Sequence, residues 1–198
     1  MTDIDLRFEP PLARVVLNRP ERRNAISCVM WRALPVICAA IGSREDVLVT
    51  LVEGAGGHFS AGADISEFAE VYRDAIATRD YSDAIQDGLR AMIALDRPTI
   101  AVMRGNTIGG GLGLALACDL RFCAADAYLA ATPAKLGLVY GYSETRRLVE
   151  LIGSSRAKDL LFTGRRVDTR DALAIGLIDR RVETGLEDMV LGLSLIHI

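Results

Sequence analysis

Residues 99–119, TIAVMRGNTIGGGLGLALACD, constrain this chain more than any other stretch. Pro98 disfavours helix just before them, and 99–103 are β-branched or apolar, so a buried strand is expected to run into Gly109-Gly110-Gly111. Residues 112–118 are small or straight-chain and apolar, which predicts a buried helix whose first turn starts within the three glycines. A helix start without Cβ atoms leaves backbone N–H groups open to a ligand oxygen, which makes an oxyanion site. Taken alone, three glycines also read as a flexible turn. They carry neither the G-x-G-x-x-G register of a dinucleotide fingerprint nor the Lys-Ser/Thr pair of a P-loop. A second strand-into-glycine turn upstream, 47–53 followed by 54–64 (GAGGHFSAGAD) and a short acidic helix over 64–70, suggests that two such turns converge.

The other elements follow from periodicity and punctuation. Residues 3–8 and 12–18 predict an antiparallel opening about Pro10-Pro11, and Ser27 caps a helix over 28–41 that Pro35 is expected to kink or split. A helix over 72–95 places Ile85, Leu89, Met92 and Ile93 on one core face. Strands are expected at 120–124 and 128–131, with a sheet edge near Thr132-Pro133. Helices are expected at 145–152, 155–162 and after Asp168 or Thr169, and a strand at 177–182. Strands alternating with helices across glycine-rich turns describe an α/β domain of ββα units. With 198 residues, half of them apolar, the chain has the material for one domain and a full core.

Bulk chemistry narrows the function. A net charge of −3 with scattered arginines gives no case for nucleic acid or an anionic membrane, and no apolar run reaches membrane-span length, so a cytoplasmic protein is expected. Cys28, Cys38, Cys118 and Cys123 lack metal-site spacing and read as reduced, mostly buried thiols. The two histidines, His58 and His197, do not form a two-histidine metal site, so no metal and no separate cofactor is expected, and His58 reads as a turn residue. The last six residues, LSLIHI, are what CTG TCT CTT ATA CAC ATC encodes, a string matching a transposon-derived sequencing adapter. The expected division is therefore a single domain over 1–192, C-terminally truncated, with 193–198 an artefact.

Six motifs then occur in order: VVLNRPERRNAI (15–26), FSAGADI (59–65), GNTIGGG (105–111), ACDLR (117–121), LGL (136–138) and GRR with AIGLI (164–166, 174–178). Together they resemble the crotonase, or enoyl-CoA hydratase/isomerase, family over nearly the whole chain. The resemblance implies a ββα spiral acting on acyl-CoA thioesters, a homotrimer or hexamer, and an enolate held by the backbone N–H groups of Ala63 and Gly110. It implies a coenzyme A and acyl surface at Arg22, Arg23, Ala25, Ala61, Asp64, Ile65, Ile108, Gly111, Pro133, Ala134 and Leu138, Arg22 or Arg23 either meeting phosphate or remaining solvated.

The departures redirect the chemistry. Hydratases of the family have glutamates where this chain has Gly113 and Ala134, neither of which transfers a proton. An acyl-CoA lyase or isomerase is therefore expected in place of a hydratase. The run TPAKLGLVY (132–140) is similar to the methylmalonyl-CoA decarboxylase branch, although that branch has histidine at the place of Ala63. Tyr140 is the candidate that orients a carboxylate or returns a proton, or else lines the acyl pocket. Glu144 is either a relocated base for double-bond isomerisation or a residue favoured at a helix start. A crotonase-like binding or scaffold protein without catalysis is the alternative class.

Overall fold

The computed structural model describes residues 3–195. In chain order its elements are β1 (Ile4–Glu9), β2 (Leu12–Leu17), α1 (Cys28–Gly42), β3 (Val49–Gly54), α2 (Phe68–Val71), α3 (Ala75–Ile93), β4 (Thr99–Met103), β5 (Asn106–Ile108) and α4 (Gly110–Ala117). They continue as β6 (Leu120–Ala124), β7 (Tyr128–Ala130), α5 (Tyr142–Ile152), α6 (Ser154–Thr163), β8 (Arg166–Asp168), α7 (Thr169–Ala174), β9 (Arg180–Val182) and α8 (Leu186–Leu195). The main sheet runs β1-β2-β3-β4-β6-β9; β1 and β2 are antiparallel and every later pairing is parallel. A smaller sheet, β5-β7-β8, takes the second strand of successive units. This is an α/β fold of ββα units.

The strands are apolar on both faces because both are covered, as parallel sheets require. Ala101, Met103 and Cys123 face the larger core with Trp31, Leu34 and the side chains of Leu112, Leu114, Ala115, Leu116 and Ala117 in α4, whereas Ile100, Val102 and Phe122 face a smaller core closed by Leu186 and Val190 of α8. None of the described helices is long and apolar enough to cross a membrane. The four cysteines are free, and all but Cys28 are buried.

Several expectations need correction. Pro35 does not split α1, which runs unbroken from Cys28 to Gly42; the buried face Met30, Trp31, Leu34, Ile37, Cys38 and Ile41 continues through it and holds it against the core. The long helix begins at Ala75, not 72, because Asp74 caps it by accepting from Ile76 N and Ala77 N. Ile93, the last residue of the helix, is 41% exposed, so only Leu89 and Met92 of the four expected core residues are buried. The acidic helix is a 3-10 turn (Ile65–Glu67) followed by α2, and the 177–182 strand contracts to β9. The chain beyond Pro133 does not leave a sheet edge, since β8 pairs antiparallel with β7. Residues 196–198 of the adapter-like segment, His197 among them, lie outside the described residues.

Candidate active site

Three glycine-rich or polar loops are stitched side by side where the main sheet ends. Ile26 N donates to Gly62 O at 2.7 Å and Asp64 N to Ile26 O at 3.0 Å, while Ser60 N donates to Asn106 O and Ile108 N to Ser60 O, both at 3.0 Å. Asn24, fully buried, crosslinks them through Nδ2 to Ala55 O at 2.8 Å and His58 O at 2.7 Å. His58 Nδ1 accepts from Asn106 N at 3.1 Å, so this histidine braces a turn and does not line the site.

These bonds place the two glycine turns in contact. Gly109, at φ 49° and ψ −119°, is in backbone space that side chains with a Cβ rarely enter, and it starts α4 at Gly110. Gly62 has φ +98°, and a Cβ there would stand 2.8 Å from Ile108 O and 3.3 Å from Gly110 N. A Cβ on Gly110 would be 3.4 Å from Ala63 N. The pairing of residue 26 with 63 uses the groups of Gly62 and Asp64, leaving Ala63 N outside it. Gly110 N opens its helix, so neither amide has an acceptor among the described residues.

Ala63 and Gly110 both line a cavity of about 410 Å³. Arg22, Ala25, Ala61, Ala63, Asp64, Ile65, Gly110, Pro133, Leu138, Tyr140 and Glu144 line it; Arg23, Ile108, Gly111 and Ala134 do not. Arg23 is exposed, and its carbonyl accepts from Ala61 N at 2.8 Å. Gly111 faces Ser60, where a Cβ would come within 2.6 Å of that side chain. Ala134 points outward from the turn Pro133–Leu136. Sequence reasoning missed Trp31, Phe68, Tyr72, Tyr81 and Ile85, which complete the apolar wall. Trp31 belongs to a periodic helix face, so its sequence signal is that of ordinary core.

The two carboxylates of the cavity differ. Asp64 is 4% exposed; burial raises its pKa, but hydrogen bonds from Ser66 and Arg19 outweigh that and hold it below the usual carboxylate range. Its Oδ1 accepts from Ser66 N at 3.0 Å and Ser66 Oγ at 2.6 Å, and its Oδ2 pairs with Arg19 Nη1 at 2.8 Å. That side chain is a brace. Glu144, 6% exposed on the inner face of α5 with Leu148 and Ile152, keeps an oxygen free, since Oε2 alone accepts, from Gln86 Nε2 at 2.8 Å.

Glu144 occupies the space that Gly113 leaves. A Cβ on Gly113 would stand 3.0 Å from Glu144 Cγ and 3.9 Å from its Oε1, so a long side chain at 113 and the carboxylate from α5 exclude one another. Tyr140 donates its hydroxyl proton to Gly109 O at 2.7 Å, and burial first, then the charge of Glu144, drives its pKa far upward, keeping it neutral. Among the described residues no group of three or more His, Cys, Asp or Glu gathers as a metal site would need.

The family model for enoyl-CoA hydratase/isomerase matches residues 7–190. The chain belongs to that family. YngF of Bacillus subtilis, a candidate hydratase/isomerase, is 37% identical over 169 residues, 85% of this chain and 64% of its own length. The Delta(3,5)-Delta(2,4)-dienoyl-CoA isomerase of Homo sapiens is 34% identical over 176 residues, 84% of this chain and 54% of its own. A solved candidate enoyl-CoA hydratase/isomerase family protein from Hyphomonas neptunium superposes with a TM-score of 0.95 at 43% identity, over 99% of this chain and 76% of that one. This chain thus spans 54% to 64% of these two curated relatives.

Proposed function

We propose that this hydratase/isomerase family member moves the double bond of an enoyl-CoA thioester, with Glu144 as its single acid–base group. The carrying observation is that α5 brings one buried carboxylate with a free oxygen into the cavity, at the place vacated by Gly113. The thioester oxygen accepts from Ala63 N and Gly110 N. Glu144 takes a proton from the α-carbon of a 3-enoyl thioester; the C–H pair becomes the double bond between the carbonyl carbon and Cα of a dienolate as the carbonyl π pair moves to oxygen. The same carboxyl returns that proton to the γ-carbon: the oxygen pair re-forms the carbonyl, the enolate double bond moves to Cα–Cβ and the old Cβ–Cγ π pair takes the proton, giving the conjugated 2-enoyl thioester with no atom gained or lost. Each preorganised N–H contributes about 3 kcal/mol toward the enolate.

An isomerisation needs one group that gives back what it takes, whereas hydration asks for activation of water and delivery of a second proton. Asp64 is not free to supply that second function. The mostly apolar and aromatic lining also favours exclusion of water. Decarboxylation of a malonyl-type thioester has less support, since its carboxylate would approach Glu144 and the Tyr140 proton is already given to Gly109 O. Coenzyme A enters as part of the substrate, with Arg22 at the exposed mouth suited to its phosphates. The dienoyl-CoA isomerase among the relatives fits this reaction class.

The test compares 3-enoyl-CoA isomerisation, crotonyl-CoA hydration and malonyl-type decarboxylation for the native protein and Glu144→Gln. Isomerisation should dominate, and Glu144→Gln should lower kcat on the order of 10²-fold or more with little change in substrate affinity. Fast hydration, or full activity in Glu144→Gln, rules the mechanism out. Binding without any turnover marks a non-catalytic acyl-CoA binder.

A further inference from the structure

One side-chain contact separates the acyl cavity from a second hollow. Glu144 lines the cavity, whereas Gln86 lines a groove of about 560 Å³ between α3 and α5, and the two meet through Gln86 Nε2 and Glu144 Oε2 at 2.8 Å. A carboxylate only accepts, so the amide turns its NH2 group to it. The two carboxylate oxygens face different ways. Oε2 lies 2.9 Å from a Cβ placed on Gly141, and Oε1 lies 3.9 Å from one placed on Gly113 of α4. Among the described residues Oε1 has no partner, and it is not one of the shielded unpaired atoms, which belong to Trp31, Thr50, Tyr81 and Thr107. That oxygen is therefore open, and the space that Glu144 lines is the acyl cavity.

Two further observations show that the fold makes room for this contact. Gly141, the N-cap of α5, has φ −64° and ψ 173°, backbone that any residue adopts, so its conformation does not call for glycine. Space does: a Cβ there would be 2.3 Å from Gln86 Nε2 as well as 2.9 Å from Glu144 Oε2. The arginines of the groove are engaged elsewhere, Arg90 with Asp87 at 2.6 Å, Arg146 with Glu150 at 2.7 Å and Arg147 Nε with Leu116 O at 3.2 Å. Glu144 is thus held by a neutral amide, which orients a carboxylate without offsetting its charge.

We infer that Gln86, admitted by Gly141, is a positioning residue that fixes Glu144 Oε2 at the partition and leaves Oε1 as the one oxygen that carries the proton from α-carbon to γ-carbon. This rests on the isomerase reading above and adds how the proton stays with the enzyme. The terminal torsion of a glutamate is soft, and its rotation would exchange the two oxygens and carry a newly taken proton to the groove side, where water meets it. With Oε2 anchored, the proton that Oε1 takes as the C–H pair enters the dienolate still faces the cavity when the γ-carbon accepts it. Return is then direct, on the same face of the substrate.

The test follows deuterium from 3-hexenoyl-CoA labelled at both α-hydrogens, turned over in ordinary water by the native protein, Gln86→Met and Gly141→Ala. Methionine keeps the length of the side chain and removes the donor, whereas alanine at 141 keeps the donor and displaces it. The native protein should place most of the abstracted deuterium at the γ-carbon of the 2-enoyl product, read by mass spectrometry and NMR. Both variants should lose most of that retention, and their kcat should fall about tenfold with KM little changed. Retention is a ratio among product molecules, so a smaller folded fraction leaves it unaltered. Native turnover that releases the label to water, or native-like retention in either variant, overturns the inference while the Glu144 mechanism stands. If the native protein does not isomerise the compound, or Glu144→Gln does so at full rate, the isomerase reading fails and this inference with it.

Discussion

Position 113 shows how the absence of a side chain shapes a cavity. Glycine there leaves room beside α4 that Glu144 of α5 fills, and Gly141 lets Gln86 reach Glu144 at all: a Cβ on Gly141 would be 2.3 Å from Gln86 Nε2. Tyr140 has a different part. Its hydroxyl proton goes to Gly109 O, an atom that also accepts from Gly113 N at 3.0 Å, so the side chain steadies the carbonyl before α4 and has no proton to spare. Tyr140→Phe should therefore cost about 1 kcal/mol of stability in denaturant titrations and lower kcat for the proposed isomerisation severalfold, not a hundredfold. A hundredfold loss of kcat with unchanged stability would make Tyr140 a participant in proton transfer. At this scale the sequence was legible where backbone conformation demanded glycine, as at Gly62 and Gly109. It was silent at Trp31 and Tyr81, because aromatic residues on helix faces look the same whether a core or a cavity lies beneath them.

At the scale of elements, the motif at 117–121 marks the family but serves architecture. Asp119 Oδ2 accepts from Thr99 N and Thr99 Oγ1, both at 2.8 Å, and so joins the end of α4 to the start of β4. Arg121, 1% exposed, donates to Leu177 O at 3.1 Å and Cys118 O at 2.9 Å and pairs with Asp179 at 2.7 Å, tying β6 to the segment before β9. Burial lowers its pKa and Asp179 opposes that fall. Arg121→Met strands buried carbonyls and a partly exposed carboxylate, so a loss of about 3 kcal/mol is expected in urea unfolding, with substrate affinity retained in the folded fraction. A change below 0.5 kcal/mol would show that water replaces the guanidinium freely. Long elements such as α1, β4 and α4 were readable from period and punctuation. The strands β5 and β8, three residues each, were not, because so short a run carries no alternation and is defined only by its partner β7.

For the whole molecule, a sheet covered on both faces makes the interior inaccessible short of broad unfolding, and three cysteines report on it. Burial pushes Cys38 from its ordinary 9.0 up to about 11, and Cys118 and Cys123 up to about 12. At pH 8 about 10⁻⁴ of Cys118 is then thiolate, the reactive form, before steric shielding is counted. Because the folded value lies above the unfolded one, each thiol's contribution to stability is complete below about pH 8.5 and is lost as pH rises toward 11–12. Stability measured by urea unfolding should therefore be flat with respect to these groups from pH 7 to 8 and fall steadily above 9. Cys118→Ala should flatten part of that alkaline slope. In native protein at pH 8, a thiol reagent should modify the half-exposed Cys28 first, while Cys38, Cys118 and Cys123 react at a rate set by opening of the core and accelerate together as urea approaches the unfolding midpoint. Labelling of Cys118 at the rate of an unfolded control, without denaturant, would mean that α4 leaves the core independently, and with it Gly110, which lines the cavity.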